Sequence, residues 1–497
     1  MLRVSLTFLG LGILCLLLAD IEVSTLHPWL EIRRMFLGTI TPDIPVLYTF
    51  RSALLNTVVF AFCGITLGVL FGSVLALFFH LTPVRLFCAF IRAIHEIFWA
   101  FLFLPIVGLN PICGVLAIGI PYAGVFAKVY AEIFQEADQR PLQGLPPGSL
   151  LTRFAYGILP LTYRNLKSYT SYRFECALRS SAVLGFIGLP TIGFHLETAF
   201  RESLYSEAAA LLLVFYLLIA SLRYWLKPKW VPLYVALAFF FITKDVSVQW
   251  ENIVRFLGYE IFPWPMRRAG FISGSHELAF SFTEVASWAW RLLASEGMPG
   301  LWNTFILTQI VLAGSGFFAL ILFPGTSRHF VSRPFAAATK SILIILRTTP
   351  EYILAYTFIL LWGPSMLPAI VAIVLHNGAI LAHLSGRSAD TIELRNDAPR
   401  GSINRYIFEV LPRVYGQFLA FLFYRWEVMM RESAILGILG IYTLGFFIDS
   451  AISDDKLDKV VFLILMTAIF NMLIDTISQR VRRNLRVSVR EVVEIRE

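Results

Sequence analysis

Long apolar runs, separated by short polar segments, dominate the pattern along the chain. A helix that crosses a bilayer needs about 20 consecutive, mostly apolar residues. Six runs reach or approach that length: Leu2–Leu18, Leu54–Phe79, Ala208–Leu222, Leu301–Phe323, Ser341–Trp362 and Val460–Ile477. The pattern predicts an all-α polytopic membrane protein. A cleaved signal peptide is the competing interpretation of the first run. The run is long for the apolar core of a signal peptide and no clean small-residue cleavage site follows it, so we expect an uncleaved helix.

Basic residues collect in the short segments between apolar runs, and this distribution predicts the sidedness of the chain. Loops on the cytoplasmic side of a membrane protein carry an excess of lysine and arginine. By that rule the stretches Gln135–Arg153 and Arg387–Arg405 are cytoplasmic, and the segment 243–300 is outside. The result is about twelve helices, arranged as two six-helix repeats, with both termini in the cytoplasm.

Composition agrees with a membrane protein. The chain has 497 residues, of which 57% are hydrophobic and 15% charged, and its mean hydropathy is +0.72. The formal charge of +8 resides mostly in the short loops, so it indicates topology rather than nucleic-acid binding. The five cysteines lie in apolar segments without a CxxC spacing, which is typical of small buried side chains.

Three colinear matches show an internal repeat. YRFECALRSSAVLGFIGLPTIGF at 172–194 aligns without a gap with YRWEVMMRESAILGILGIYTLGF at 424–446, RAIHEIFWAF at 92–101 with RTTPEYILAY at 347–356, and Asn-Thr at 56–57 with Asn-Thr at 303–304. Six spans separate each segment from its copy, so both copies run in the same direction through the membrane. We predict a first repeat at 1–229 (core 50–225) and a second at 230–497 (core 298–483), the second including the outer segment 243–300.

Charged residues recur inside the matched apolar segments. Charges within a membrane are costly and need partners. Glu175–Arg179 and Glu427–Arg431 are spaced i,i+4, so each half is predicted to hold one such pair on a helix face. Arg92–Glu96 and Arg347–Glu351 show the same spacing with the charges in reverse order. Two interpretations stay open: the charges pin helices together, or they line a translocation path for an anion. The candidate path residues are Arg173, Glu175, Arg179, Arg425, Glu427 and Arg431.

Glycines follow each charged segment, in LGFIGLPTIG and LGILGIYTLG. Glycine allows close backbone approach or a break in helix geometry. A flexible gate and ordinary close packing are both consistent with this pattern. The candidate gate residues are Gly185, Gly188, Gly193, Gly437, Gly440 and Gly445.

Two polar cytoplasmic stretches, 134–160 and 388–412, also resemble each other. Both contain prolines and a glycine, both end in Leu-Pro, and Arg153/Pro160 and Arg405/Pro412 repeat one spacing. Short helices across the inner membrane face would suit docking of a soluble partner, whereas a solvated loop would not by itself predict the repeated spacing.

Motifs for catalysis are missing from the sequence. It contains no GxxxxGK[ST] phosphate loop, no HExxH and no GxSxG. Histidines are scattered; His376 and His383 could share a helix face, but two histidines alone are a weak metal signal. We therefore expect no enzyme activity, catalytic residues, cofactor or metal site.

The polar loop ending in Leu-Pro and the following YRFE…R…LGxxGxxxxG resemble the permease subunits of binding-protein-dependent ABC importers, in particular the phosphonate, phosphite and phosphate type. The resemblance covers about 50–248 and 298–487. In that family a loop with an EAA-x3-G signature fits into the ATPase. The implied coupling residues are Glu136, Pro147, Gly148, Arg153, Glu393, Pro399, Gly401 and Arg405.

This chain departs from the family signature. Pro141 and Pro147 take its Glu and Gly positions in the first half, and Pro399 takes the Gly position in the second. The coupling helices are therefore expected to be distorted and the two ATPase contacts unequal. Family members are also usually single halves that dimerise, whereas this chain is a fusion.

The resemblance implies a permease in the bacterial inner membrane that takes a small oxyanion from an external binding protein, with no nucleic acid as partner. Two copies of a cytoplasmic ATPase would push the loops 135–152 and 387–404. A secondary transporter driven by an ion gradient and a non-transporting scaffold or sensor remain as alternatives.

Overall fold

A computed structural model describes residues 1–24, 28–137, 149, 152, 154–242, 248–274, 277–397, 399 and 401–485. Within these residues, every regular element is helical. The first ten longer helices are α1 (Leu2–Leu18), α2 (Pro28–Ile40), α3 (Arg51–Leu77), α4 (Thr82–Ala93), α5 (Glu96–Val107), α6 (Pro111–Glu136), α7 (Leu159–Val183), α8 (Ile192–Arg201), α9 (Tyr205–Trp225) and α10 (Val231–Ile242). The next ten are α11 (Trp250–Arg255), α12 (Trp264–Ser273), α13 (Phe282–Leu292), α14 (Met298–Leu322), α15 (Arg333–Thr348), α16 (Glu351–Trp362), α17 (Met366–Asp390), α18 (Leu411–Leu436), α19 (Leu444–Ser453) and α20 (Leu457–Asn484).

Membrane-spanning helices are prominent in the described part of the chain. There, six helices are long and apolar enough to cross a bilayer, and the number rises to nine if each of three bent helix pairs is one span. The prediction of an all-α polytopic membrane protein is confirmed, while the count of about twelve stays a prediction. The apolar run Ser341–Trp362 is not one straight helix, because the chain bends by 91° between α15 and α16.

Helix contacts divide the chain into two compact units. The first unit is Phe36–Gly258, and the second unit combines Met1–Met35 with Tyr259–Arg490. Seven helices follow one another in the same order in each: α3 to α9 in the first unit and α14 to α20 in the second. Details repeat as well. The α4–α5 bend is 89° and the α15–α16 bend 91°, and the turn before the last helix holds a non-glycine residue with positive φ, Ser203 (58°) or Asp455 (56°).

The leading helix of each half belongs to the unit formed by the other half. In the second unit, α1 lies against α14, where a Cβ on Gly12 would be only 2.6 Å from the Ala313 Cβ. In the first unit, α10 packs on α3, and the Tyr234 ring lies 5.7 Å from that of Phe62. The compact units are thus not continuous in sequence. The predicted repeats 1–229 and 230–497 describe the order of the duplicated sequence, and those boundaries stay a prediction.

Small residues hold the core helices of the first unit close together. Gly64, Gly68 and Gly72 recur every four residues along one face of α3, and a Cβ on any of them would come within 3 Å of a side chain of α6. Helices in a membrane approach closely through such small-residue faces, since lipid supplies no hydrophobic drive between them. Three cysteines of this unit, Cys63, Cys88 and Cys113, are buried, and Cys176 is half-buried; Cys15, on α1, is buried in the second unit.

The predicted outer segment 243–300 contributes short helices to both units. In the second unit, α12 is fixed to the start of α20 by the buried carboxylate of Asp458. One oxygen accepts a hydrogen bond from the backbone N–H of Trp264 over 2.8 Å, and the other lies 3.0 Å from a guanidinium nitrogen of Arg267. The side of the membrane on which the segment lies stays a prediction.

Candidate functional site

Each unit interrupts a helix at the same point of the repeat. In the second unit, Thr349 is extended (φ −64°, ψ 120°) because the following Pro350 disfavours helical geometry in the residue before it. In the first unit, His95 is extended (φ −67°, ψ 149°), and its Nδ1 accepts a hydrogen bond from the Ile97 N–H over 3.2 Å. Proline in one half and a capping histidine in the other therefore produce the same bend, and a glutamate begins the next helix in both.

These breaks correct one expectation from the sequence. Arg92–Glu96 and Arg347–Glu351 were predicted to share a helix face through their four-residue spacing. The helices end at Ala93 and Thr348, between the members of each pair. The spacing therefore does not place the two side chains on one helix, and the prediction of intrahelical pairs at these positions was wrong.

In the second unit, polar side chains from α16, α17 and α18 meet at the break; we call this group the second-half cluster (Glu351, His376, Asn377, Arg425 and Glu432). The Asn377 amide links two of the charges: its oxygen accepts a hydrogen bond from Arg425 Nε over 2.7 Å, and its nitrogen donates to Glu432 over 2.8 Å. Arg425 Nη2 also donates to the other Glu432 oxygen over 3.0 Å. The arginine and the carboxylate thus neutralise each other within an apolar surrounding, where an unpaired charge is costly.

His376 ties the cluster to the helix break. Its Nδ1 lies 2.9 Å from the Thr349 carbonyl oxygen, which is only an acceptor, so this nitrogen carries a proton and donates it. Its Nε2 then faces Glu351, 3.8 Å from a carboxylate oxygen. The imidazole connects the break between α15 and α16 to α17.

Three side chains of the cluster could in principle bind a metal ion. Ligand atoms of Glu351, His376 and Glu432 all lie within 4.8 Å of one another. However, both Glu432 oxygens already accept hydrogen bonds from Arg425 and Asn377, and the nearby guanidinium repels a further cation. The Glu432 carboxylate is therefore better suited to pairing with Arg425 than to binding a metal ion. The expectation of no metal site stays a prediction.

The first unit places different partners at the equivalent positions; we call them the first-half cluster (His95, Glu96, Tyr122, Arg173 and Ser180). The Ser180 hydroxyl donates to Glu96 over 3.1 Å, and the Tyr122 hydroxyl lies 3.3 Å from that of Ser180. His95 Nε2 is 3.4 Å from the other Glu96 oxygen. A serine and a tyrosine thus stand where the second unit has Glu432 and Asn377.

Arg173 and Arg425 occupy matching positions on α7 and α18 but contact different groups. Arg173 Nε donates to the Tyr169 hydroxyl over 2.7 Å, and its guanidinium lies 5.1 Å from the centre of the Tyr169 ring. The guanidinium lies 5.6 Å from the Tyr172 ring. The first-half arginine is therefore held by aromatic rings and a phenol, and the second-half arginine by a carboxylate and an amide.

The remaining predicted path residues lie on the same two helices. Arg179 is 3.9 Å from Glu175, as the spacing predicts. Glu427 is buried in α18, and Arg431 adds a positive charge near Glu432. A role of these residues in translocation stays a prediction.

Sequence reasoning missed several members of both clusters. The signal for Glu96 and Glu351 was their repetition, but it was interpreted as an intrahelical pair. Asn377 and Glu432 are 55 residues apart, so no short spacing could join them.

The glycines after α7 and α18 occupy a compact turn that the two units share. Gly188 and Gly440 have positive φ angles, 92° and 85°, which favour glycine. A Cβ on Gly193 or Gly445 would collide with a backbone carbonyl oxygen of the preceding long helix. Gly185 and Gly437 are equally enclosed by backbone. Positive φ therefore accounts for Gly188 and Gly440, and close backbone approach for the other four glycines, while a gate function stays a prediction.

A threonine on the first core helix caps the helix after this turn. In the first unit, the Thr57 hydroxyl oxygen accepts a hydrogen bond from the Ile192 N–H over 3.0 Å. In the second, the Thr304 hydroxyl accepts from the Leu444 N–H over 3.1 Å. These N–H groups belong to the first turn of a helix and have no partner within it. The Asn-Thr match in the sequence therefore marks a repeated cap.

Of the predicted coupling residues, those of the second half are described by the structure. Arg405 Nε donates to the Pro399 carbonyl over 3.2 Å, and its Nη1 donates to the His329 carbonyl over 2.8 Å. The Glu393 carbonyl accepts a hydrogen bond from Arg413 over 2.9 Å, and Gly401 precedes the one-turn helix Ser402–Arg405. In the first half, Glu136 is exposed at the end of α6, whereas Pro147, Gly148 and Arg153 lie outside the described residues.

Comparison with known proteins points to transport. A phosphate-import permease protein of Mycolicibacterium smegmatis is 22% identical over 423 residues, which cover 81% of this chain and 77% of that protein. A phosphite transport system permease protein of Stutzerimonas stutzeri is 29% identical over 189 residues, 35% of this chain and 67% of that protein. A putative cryptic phosphonate transport system permease protein of Escherichia coli K12 is 31% identical over 111 residues, 22% of this chain and 91% of that protein. No family profile and no solved structure matches the chain.

Proposed function

We propose that this chain, which belongs to the phosphonate, phosphite and phosphate type of ABC permease proteins, supplies the whole transmembrane part of an importer for a small phosphorus oxyanion. It is a component of a transporter and not an enzyme. The proposal adds to family membership the substrate class, the completeness of the pathway and the identity of the partners.

The duplicated unit is the observation that carries the proposal. Thr57 and Thr304 make the same cap, and Gly188 and Gly440 the same turn. The Mycolicibacterium relative also spans most of this chain in one protein, whereas the E. coli relative matches only 111 residues. A single chain with two such units does covalently what a symmetric homodimer does by association.

The partners follow from the family. Two cytoplasmic ATPase subunits bind the loops 135–152 and 387–404 and supply the energy, and an extracytoplasmic binding protein delivers the substrate. The chain lies in the bacterial inner membrane with both termini in the cytoplasm. This arrangement agrees with the absence of a phosphate loop from the sequence.

Arginines on α7 and α18 give the pathway its positive potential. The planar guanidinium bonds two oxygens of a tetrahedral oxyanion at once. In the second half, Arg425 pairs with Glu432 at 3.0 Å, and Arg431, on the same helix, adds a second positive charge beside that carboxylate. In the first half, Arg173 and Arg179 take this role.

Replacement of Arg431 by glutamine tests the proposal. The permease is co-purified with its ATPase subunits, reconstituted into liposomes and supplied with binding protein, and ATP-dependent uptake of phosphate, phosphite and a simple phosphonate is measured. Because a hydrogen bond to a charged group contributes about 1.5–3 kcal/mol, uptake should fall by about ten- to a hundredfold. Assembly with the ATPase should be unchanged.

Arg201→Gln serves as the control, since it removes an exposed arginine that pairs with Glu197 at 2.6 Å and should leave uptake normal. Normal uptake by the Arg431 variant would defeat the assigned role. Uptake driven by an ion gradient without ATP would instead indicate a secondary transporter. If no substrate were taken up at all, the result would indicate a scaffold or sensor.

A further inference from the structure

A buried carboxylate joins the second cytoplasmic loop to the start of α18. Glu409 lies in the π-helical turn Tyr406–Val410, directly before this helix, and its side chain is almost fully enclosed. Arg395, from the loop, places Nε and Nη2 each 2.8 Å from one Glu409 oxygen. Arg413, in the first turn of α18, lies 2.8 Å from the other oxygen. We call Arg395, Glu409 and Arg413 the loop clasp.

Backbone contacts reinforce the clasp. The Arg395 N–H donates to Glu409 over 3.3 Å, and Arg413 also donates to the Glu393 carbonyl over 2.9 Å. The loop is therefore held to α18 through side chain and backbone together. The Arg395 side chain nevertheless remains 65% exposed on the cytoplasmic loop, where a soluble partner can reach it.

The first half lacks the residues for such a clasp. Tyr172 and Tyr424 set a spacing of 252 residues between the halves. At that spacing Glu409 corresponds to Gly157, which has no side chain, and Arg413 corresponds to Leu161. The clasp residues Glu409 and Arg413 are thus not repeated at positions 157 and 161 of the first half.

The clasp connects the loop to the intramembrane cluster. At about 1.5 Å per residue, α18 carries Arg425 about 24 Å from Glu409. A rigid helix transmits a displacement of its end over that length, whereas a loop joined only through the chain absorbs part of the displacement. A loop already held in one conformation also loses less entropy when it binds a partner.

We propose that the two cytoplasmic loops are unequal docking sites, and that the loop clasp makes the second loop the preformed contact through which an ATPase subunit moves α18. The proposal rests on the proposed function, since it needs an ATPase partner. Glu409 acts as a positioning residue: it does not contact substrate, and it fixes the loop that receives the force. Because the first half does not repeat Glu409 and Arg413, we expect its loop to give the weaker contact.

Photo-cross-linking tests the inequality of the two contacts. A benzoylphenylalanine is placed at the exposed Asn396 or at its sequence counterpart in the first loop, Gly144, in the complex of full-length permease with its ATPase subunits. The yield of cross-linked ATPase should be several-fold higher from 396 than from 144. Glu409→Gln, which keeps the side-chain size but removes the charge, should reduce the yield from 396 several-fold and leave the yield from 144 unchanged.

A second readout separates coupling from folding. In liposomes, Glu409→Gln should lower substrate imported per ATP hydrolysed by about fivefold, while the variant still elutes as a monodisperse complex. Arg395→Gln, on the exposed side of the clasp, should act in the same direction. Lys456→Gln is the matched control, because it removes another exposed ion pair, with Asp454 at 2.8 Å, in the turn before α20 and outside the loop.

The outcomes distinguish the two proposals. Equal yields from both loops, or yields and coupling that do not change in Glu409→Gln and Arg395→Gln, would overturn the inequality while leaving the proposed function intact. No cross-linked ATPase from either loop would contradict the proposed function and, with it, the loop clasp as a coupling device.

Discussion

Replacing Thr57 by valine removes the hydroxyl oxygen that accepts the Ile192 N–H over 3.0 Å. Threonine and valine have nearly the same shape, and Thr57 is fully buried, so the substitution leaves no cavity. Water cannot reach the site to replace the lost acceptor. A buried N–H without a partner costs about 1–3 kcal/mol, and we expect the free energy of unfolding of Thr57→Val to fall by that amount.

The matching change in the second unit should cost the same. Thr304 accepts the Leu444 N–H over 3.1 Å and is also buried, so Thr304→Val removes an equivalent bond. The two sites share no partner, and the double variant should therefore lose about 2–6 kcal/mol. Serine at either position keeps the hydroxyl and loses one methyl group, which costs about 0.8 kcal/mol.

Unfolding of the purified protein in mixed detergent and SDS micelles, followed by tryptophan fluorescence, measures these differences. At each site the free energy of unfolding should be highest for the parent, lower for the serine variant and lowest for the valine variant. Valine variants as stable as the parent would refute the role of the caps. A large loss at one site and none at the other would refute the equivalence of the two units.

Three further predictions follow from the packing and the charges. Gly193→Ala and Gly445→Ala each drive a Cβ into a backbone carbonyl oxygen, so both should abolish recovery of folded protein; a normal yield of either contradicts the compact turn. Gly12→Val should cost about 1–3 kcal/mol by crowding α1 against α14, whereas Gly10→Val, with open space around it, should change stability by less than about 0.5 kcal/mol. Hydrogen bonding to Arg395 holds the pKa of Glu409 below its ordinary 4.5. The ionised carboxylate therefore stabilises the folded state fully above about pH 4.5, and this stabilisation is lost as the pH falls through the lowered pKa. The difference in melting temperature between parent and Glu409→Gln should disappear on acidification, and a constant difference would contradict the charge pairing.

Hydropathy and self-similarity predicted the class of the fold because both depend on many residues at once. Four of the six apolar runs coincide with helices long enough to cross a bilayer, whereas α6 and α17 also qualify but were not among those runs. The matched Asn-Thr, glycine and charged segments fell at equivalent places in the two units. The break at Pro350 was missed, since a hydropathy window averages over a bend and the run Ser341–Trp362 is apolar on both sides of it. The proline was the available signal; at His95 the cap depends on side-chain geometry that the sequence does not display.

Contacts between residues that are far apart in the sequence limited how much of the site could be predicted. Glu409 and Arg413 are four residues apart and could have been paired from their spacing, but Arg395 reaches Glu409 only because the loop folds back. Likewise, Asn377 and Glu432 meet because α17 and α18 pack together. The exchange of α1 and α10 between the units is a property of tertiary packing, which repeat boundaries in the sequence do not reveal.

The sidedness of matched positions tests most directly whether the chain contains one unit twice, inserted both times in the same direction. Single cysteines replace four exposed residues in a background without native cysteines, and a membrane-impermeant maleimide is applied to intact and to permeabilised cells. The positions are Tyr156 and Phe408, before α7 and α18, and Ser203 and Asp455, before α9 and α20. Cysteines at 203 and 455 should both react in intact cells, and those at 156 and 408 only after permeabilisation; reaction of the two members of either pair from opposite sides would contradict the duplicated permease.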